Sequence, residues 1–164
     1  MKFLIENWNK YFSESIEESF QTHNDIISFI KENPKQLINI DKPMGGIKKF
    51  GAKKKNSVQL IFDYGEWPTI INPSDNMGWD FIIVPSHSRG LGGKRVESLF
   101  PVGYVKYNDD KSVWKKLGVK KPKGIEGNTK IIVSPEENPD KKDIKSIEKF
   151  FSNLVQFKKV VWIY

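Results

Sequence analysis

The chain has 164 residues, 27 of them Lys or Arg and 20 Asp or Glu, and its net charge of +7 predicts an anionic partner: a phosphate compound, a nucleic acid or an acidic protein. The absence of cysteine excludes disulfides, thiolate metal sites and cysteine nucleophiles. No apolar run approaches the length of a membrane span, and the apolar stretch at the N-terminus is too short for a secretion signal, so we expect a cytoplasmic protein with no membrane partner.

The first part of the chain predicts a long helix and then a strand. Apolar residues recur at helical spacing within residues 3–32, and the residue before Pro34 is pushed out of the helical region, which ends the helix. QLINI (36–40) predicts a short strand, and DKPMGG (41–46) predicts a turn because it contains a proline and two glycines.

The middle of the chain predicts further strands. Runs of alternating or continuously apolar residues mark them at 57–64, 79–85, 95–107 and 129–134. The segment Asp109–Asn128 is polar and rich in Lys and Gly, and it is long for a connection. We interpret it as a functional loop or an insertion.

The end of the chain predicts a helix and a final strand. Asn138 is a suitable cap, Pro139 suits the first turn, and an apolar stripe runs through Ile144, Ile147, Phe150, Phe151, Leu154 and Phe157. KVVWIY (159–164) predicts the last strand. The pattern as a whole predicts one α+β domain, residues 1–164, built on a small barrel, with residues 1–34 as a helical extension.

Two acidic residues in NPSDNMGWDFIIVP (72–85) form the first candidate site. Asp75 and Asp80 cannot share one face of a helix, but they can converge on a turn that leads into a strand. A convergent pair of carboxylates suits a hard cation such as Mg²⁺. The alternative is a plain turn, capped by Asp75, with Asp80 at the edge of a strand.

The order of the segments resembles that of the soluble family I inorganic pyrophosphatases. DYGE (63–66) is similar to the family's N-Y-G-Y segment and DNMGWDF (75–81) to its D-G-D-P-x-D-V turn. Further similar segments are KPMGGIKKFG (42–51), RVESLFPVGYVKYNDD (95–110), GNTKIIVSPE (127–136) and the closing FF helix with KVVW. The resemblance covers about residues 36–163 and implies a closed five-stranded, OB-like β-barrel flanked by helices, with the N-terminal helix as an extra element.

The resemblance also implies Mg²⁺-dependent hydrolysis of inorganic pyrophosphate, or of another small phosphoanhydride, and a set of site residues. The positions similar to metal ligands are Asp75, Asp80, Asp109 and Asn128. Those similar to phosphate-binding residues are Lys49, Tyr64 and Lys130. Asp75, Asp80 and Lys130 are the expected catalytic residues. Metal ions would supply most of the charge stabilisation that this reaction needs.

Several residues depart from the family pattern. Met77 replaces the middle Asp of the signature turn, and a thioether neither accepts a proton nor suits Mg²⁺. Asn128 replaces another metal-binding Asp, and Leu154 and Val155 replace a Tyr-Lys pair. Glu66 stands at the second tyrosine of N-Y-G-Y.

A second group of observations leaves alternatives open. Asn39 lies about where the family has a Glu, while Asp63 and Glu66 are extra acids, which we hypothesise partly restore the lost negative charge. A catalytically impaired protein that binds phosphate or a partner therefore remains an alternative, as does, less favoured, an OB-like nucleic-acid-binding barrel. A homo-oligomer stays open. We expect His23 and His87 to be structural or surface residues.

Overall fold

The computed structural model describes residues 18–20, 22–50, 57–73, 75–118 and 129–163. In these ranges there are three α-helices, α1 (His23–Glu32), α2 (Lys111–Leu117) and α3 (Lys141–Ser152). The ten strands are β1 (Glu18–Ser19), β2 (Lys35–Lys42), β3 (Ile47–Lys48), β4 (Val58–Gln59), β5 (Tyr64–Asn72), β6 (Met77–Ile83), β7 (Gly93–Ser98), β8 (Phe100–Tyr107), β9 (Lys130–Ser134) and β10 (Phe157–Trp162). The α+β class is as predicted.

The main sheet is open, so the closed five-stranded barrel is wrong. Seven strands follow one another in the order β10-β8-β9-β6-β5-β2-β7, and β1 pairs with β5 outside this path. β10 adds to the outer side of β8 and β7 to the outer side of β2, so the path ends in two separate edges within the described residues. Strands β6 and β9 run parallel to each other, which brings two segments that are distant in sequence side by side.

Each face of the sheet carries its own apolar core. Ile26 and Ile30 of α1 pack with Trp79 and Phe81 on one face. Phe151 of α3 belongs to the cluster on the other face, which also includes Tyr64, Ile82 and Ile132. Strand residues alternate between the two clusters because successive side chains point to opposite faces. Burial on both faces explains why strands β6 and β9 are almost continuously apolar.

The N-terminal helix is shorter than predicted. Residues 1–17 lie outside the described ranges, Glu18–Ser19 form a strand instead of helix, and α1 begins at His23 after the cap Thr22. The indole of Trp79 donates a hydrogen bond of 2.9 Å to the carbonyl of Phe20. The sheet therefore holds this segment in an extended form, which helical periodicity alone does not reveal.

The closing helix also starts and ends differently from the prediction. Asp140, not Asn138, caps α3, and its side chain accepts a hydrogen bond from the backbone N–H of Lys142. The helix ends at Ser152, so Leu154 follows it and Phe157 starts β10. Phe157 nevertheless belongs to the same apolar cluster as Phe151, because β10 returns beneath the helix.

The middle strands are divided differently. The predicted strand at 57–64 contains the short strand β4 and, as its last residue, Tyr64, where β5 begins. The predicted strand at 95–107 is two strands, β7 and β8, separated at Leu99. The polar segment after Asp109 contains the short helix α2, capped by Asp110 and ended by Gly118 at a φ of 71°.

Candidate functional site

One row of polar side chains crosses four neighbouring strands. Asn39 of β2 pairs with Glu66 of β5, and Glu66 pairs with Asp80 of β6. Lys130 of β9 comes next, because the adjacent residues Phe81 and Ile131 are direct partners. Residues paired across strands share a face of the sheet, so these four side chains lie on the face that also carries the Tyr64 and Phe151 cluster.

Asp80 is the centre of this row. Its Oδ2 accepts a hydrogen bond of 2.7 Å from the Tyr64 hydroxyl and one of 2.6 Å from the Lys130 ammonium. Lys130 is almost completely buried, with 6% of its side chain exposed, while 30% of the Asp80 side chain is exposed. Oδ1 takes part in neither bond. The Asp80 carboxylate therefore lies between solvent and the buried Lys130 ammonium.

Electrostatics keeps this pair ionised. Burial by itself would raise the pKa of Asp80, but the Lys130 ammonium and the hydrogen bonds from Lys130 and Tyr64 outweigh burial and hold the pKa below its ordinary value. Burial likewise opposes the charge on Lys130, yet Tyr107, Tyr64 and the Asp80 carboxylate hold its pKa well above the usual value. Burial raises the pKa of Tyr64 well above its usual value, so its hydroxyl stays a donor near neutral pH.

A second lysine, Lys48 of β3, faces the same site. Its Nζ lies 4.1 Å from the centre of the Tyr64 ring, and Lys130 Nζ lies 5.7 Å from that centre. Burial and the nearby Lys130 lower the pKa of Lys48, although Asp80 and Asp41 oppose the shift. Two ammonium groups that repel each other beside the same aromatic ring favour a nearby anion.

Lys48 was missed by the sequence interpretation, which named Lys49. Lys49 is exposed and lines a neighbouring cavity, whereas Lys48 is half-buried. Successive strand residues point to opposite faces, so a shift of one residue exchanges a site residue for one outside it. The pair of lysines in KPMGGIKKFG was a signal, but only the folded structure, in which Lys48 Nζ lies 4.1 Å from the Tyr64 ring centre, distinguishes them.

The acidic side of the row is crowded. Burial, Asp41 and Asp80 raise the pKa of Glu66, and the Asn39 side chain opposes this by a hydrogen bond. Burial and Asp80 raise the pKa of Asp41, whose Oδ1 accepts a 2.8 Å hydrogen bond from Asn39 Nδ2. The Glu66 carboxylate lies over the backbone of Gly78, the residue after Met77. A Cβ built at Gly78 would be only 3.0 Å from Glu66 Oε2.

The chemistry of these donors fits Mg²⁺. Asp80 Oδ1, Glu66 and Asp41 offer oxygen ligands; burial and, after it, the neighbouring carboxylates raise the pKa values of Glu66 and Asp41, and a bound cation would oppose both effects. In the described ranges, no three His, Cys, Asp or Glu side chains are close enough to hold a metal by themselves. Mg²⁺ commonly uses one or two carboxylates and completes its shell with water and substrate phosphates.

Asp75 lies in the turn between β5 and β6. Its Oδ1 accepts a 3.0 Å hydrogen bond from the Met77 N–H, and Asn76 has a φ of 60°. This is the plain turn of the alternative interpretation. Asp75 is nevertheless near enough to contribute to the raised pKa of Glu66. Met77 is 60% exposed, so no packing demands an apolar side chain there.

The other two predicted metal ligands are Asp109 and Asn128. Asp109 is exposed, and its Oδ2 lies 3.5 Å from Lys158 Nζ. Asn128 lies outside the described residues. Leu154 is buried in the apolar cluster and Val155 is exposed, and both border a cavity between α3 and β10.

Asp63 does not add charge to the site, contrary to the hypothesis. It is fully buried, and its carboxylate accepts hydrogen bonds from the N–H groups of Met44, Arg89 and Gly90. It therefore ties two loops to the start of β5. Of the two extra acids, only Glu66 lies in the row.

The two histidines lie away from this row. His23 is buried beside the Tyr104 ring, with 4.3 Å between the ring centres. His87 lies in the 3₁₀ turn Pro85–His87, with its Nε2 4.0 Å from Glu136.

Solved structures that are similar to this chain include two bacterial enzymes. The inorganic pyrophosphatase from Ehrlichia chaffeensis is 16% identical, with a TM-score of 0.47, and the match covers 79% of this chain and 86% of that one. The inorganic phosphatase from Anaplasma phagocytophilum is 15% identical, with a TM-score of 0.42, and the match covers 79% and 82%. No protein-family model and no curated protein matches the chain.

Among its described helices, none has the length and apolarity that a membrane crossing requires.

Proposed function

We propose that this protein binds inorganic pyrophosphate, or another small phosphoanhydride, together with Mg²⁺ at the Tyr64–Asp80–Lys130 site and hydrolyses it. The observation that carries the proposal is the single Asp80 carboxylate that binds a buried lysine and a tyrosine while a second lysine, Lys48, faces the same ring. Cations beside partly open carboxylates match a substrate that is itself a polyanion with a bound metal. The resemblance of the segment order supports the same activity.

The cations have the simplest role. Lys48 and Lys130 neutralise the charge of the phosphates, including the charge that develops on the leaving group. The carboxylate of Asp80, which also accepts a hydrogen bond from the Tyr64 hydroxyl, holds the Lys130 ammonium in place. Lys130 is buried, so little water screens its charge.

The carboxylates have the second role. Asp80 Oδ1, with Glu66 or Asp41, would hold the Mg²⁺ that arrives with the substrate. When bound, Mg²⁺ neutralises phosphate charge and makes water a stronger acid. A water molecule adds to one phosphorus, the bridging P–O bond breaks, and two phosphates leave.

A second candidate function is favoured by Met77. This residue is 60% exposed, stands where the resemblance implies the middle Asp of the signature turn, and offers neither a proton acceptor nor a ligand for Mg²⁺. The second candidate is therefore a protein that binds pyrophosphate or phosphate without turnover.

One assay separates the two candidates. Phosphate release from pyrophosphate is measured with and without Mg²⁺ for the wild type, Asp80→Asn and Met77→Asp, and calorimetry measures binding of pyrophosphate. Hydrolysis that requires Mg²⁺ and disappears in Asp80→Asn supports the enzyme. Binding without turnover, with activity gained in Met77→Asp, supports the second candidate. If the wild type neither hydrolyses nor binds pyrophosphate and Met77→Asp is also inert, both are wrong.

Asp75→Asn belongs in the same assay. The resemblance implies that Asp75 is catalytic, whereas its hydrogen bond to Met77 makes it a turn cap. Loss of activity without loss of stability would support the catalytic role.

A further inference from the structure

A basic cavity borders the proposed site. It has a volume of about 490 Å³ and lies where the end of β2 meets the β3–β4 hairpin. The described residues that line it are three lysines, Lys42, Lys48 and Lys49, together with Ile47 and Ser57. Lys42 and Lys49 are exposed, so their charges face solvent inside an open recess.

The cavity and the site share Lys48. This side chain lines the cavity, yet its Nζ lies 4.1 Å from the centre of the Tyr64 ring. Both Lys130, from the site, and Lys42, from the cavity, add to the repulsion that acts on Lys48. The lysines therefore form a series from Lys130 through Lys48 to Lys42, with the carboxylates of Asp80 and Asp41 also close to Lys48, and Lys49 lines the same cavity.

This series is longer than pyrophosphate requires. Lys42 pairs with Tyr64 across β2 and β5, while Lys130 lies on β9, three strand spacings from β2. Three spacings of about 4.8 Å separate these backbones by roughly 14 Å. A longer chain of phosphates reaches the three lysines of the cavity, including Lys48, while the buried Lys130 acts on it through its charge.

We propose that this cavity extends the site for a linear phosphoanhydride of at least three phosphates. This inference rests on the proposed function, because it assigns the substrate class of the same site. Water adds to the terminal phosphorus, the P–O bond to the bridging oxygen breaks, and that oxygen leaves with the remaining chain. Tripolyphosphate thus gives phosphate and pyrophosphate, with no change of oxidation state.

A triphosphate chain has two sources, an inorganic chain or a nucleotide, and the test includes both. Calorimetry at fixed ionic strength measures the binding of pyrophosphate, inorganic tripolyphosphate and ATP. The proteins are the wild type, the Lys42→Gln/Lys49→Gln variant and a control, Lys141→Gln/Lys145→Gln. The control removes the same charge from exposed positions on α3.

We expect tripolyphosphate to bind the wild type at least tenfold more tightly than pyrophosphate. The Lys42→Gln/Lys49→Gln variant should lose at least three times more affinity for tripolyphosphate than for pyrophosphate, and the control should lose equally little for both. ATP binding as tight as that of tripolyphosphate identifies a nucleotide as the source. Weak ATP binding identifies the inorganic chain.

Equal affinities of the wild type for pyrophosphate and tripolyphosphate would overturn the inference, as would the same losses in the control. Phosphate release from both compounds is recorded in parallel. Hydrolysis of pyrophosphate with no preference for tripolyphosphate leaves the proposed function and removes the extended site. Tighter binding of tripolyphosphate through Lys42 and Lys49 without hydrolysis leaves the extended site and removes the enzymatic function.

Discussion

The Nζ of Lys130 lies 2.6 Å from the Oδ2 of Asp80, although 50 residues separate them in the chain. Lys130 has almost no contact with solvent, since only 6% of its side chain is exposed. The pair therefore supports the fold as well as the proposed chemistry, and the two roles can be tested separately.

Asp80→Asn should destabilise the protein by about 3 kcal/mol, because removing one partner leaves the other charge buried without compensation. The midpoint of urea unfolding measures the effect. The double variant Asp80→Asn/Lys130→Met removes both charges and should regain most of the loss. A single variant as stable as the wild type would contradict the importance of this pair.

Lys48→Gln should reduce pyrophosphate affinity at least tenfold, and Lys49→Gln should reduce it less than threefold. The reason is that Lys48 faces Tyr64 and Lys130, while Lys49 is exposed in the adjoining cavity. Calorimetry measures both affinities. Each variant serves as the control for the other, because each removes one positive charge and the two positions are adjacent. The reverse order would mean that the sequence resemblance, which named Lys49, placed the phosphate-binding lysine correctly.

Glu66→Gln should stabilise the protein more at pH 7 than at pH 4. Burial and the carboxylates of Asp41 and Asp80 raise the pKa of Glu66, so the folded state holds its proton more tightly than the unfolded state does. The stabilisation that this proton gives the wild type is complete below the ordinary Glu pKa of about 4.3. It is lost as the pH rises through the pKa that Glu66 has in the folded protein, and the neutral side chain of the variant avoids this loss.

The measurement for this prediction is urea unfolding of both proteins at several pH values from 4 to 8. Glu137→Gln, at an exposed position, is the control and should run parallel to the wild type. A constant difference between Glu66→Gln and the wild type at every pH would refute the prediction.

Asp63→Ala should destabilise the protein by about 3 kcal/mol or more. The substitution removes the acceptor of three backbone N–H groups, from Met44, Arg89 and Gly90, and hydrogen bonds to a charged group contribute roughly 1.5–3 kcal/mol each before the loops relax. Asp75→Ala is the comparison, since its carboxylate accepts one exposed N–H and should cost about 1 kcal/mol or less. Equal midpoints of urea unfolding for both variants would contradict the role of Asp63.

The sequence by itself determined the local elements that depend on continuous apolar patterns. The strand at 79–85 and the strand at 129–134 are confirmed within two residues, and α3 occupies most of its predicted range. These segments are predictable because their burial is dictated by runs and stripes within a single element. β5 was missed as a strand because it contains Gly65 and Pro68, residue types that are depleted in strands and interrupt the apolar pattern. Pro68 lies where the pairing with β6 shifts register.

The tertiary structure alone decided which residues meet. Asp80, Tyr64 and Lys130 were named from the sequence, but their contact depends on the register of three strands, one of them parallel to β6. The position of β3 brings Lys48 to the Tyr64 ring and leaves Lys49 exposed, and Asp63 accepts hydrogen bonds from the backbone N–H groups of two loops. Alternation assigns a side chain to a face only once the strand and its partners are known, because a shift of one residue reverses every face. Sequence thus supplied the chemical groups, and pairing between distant strands selected those that form the site.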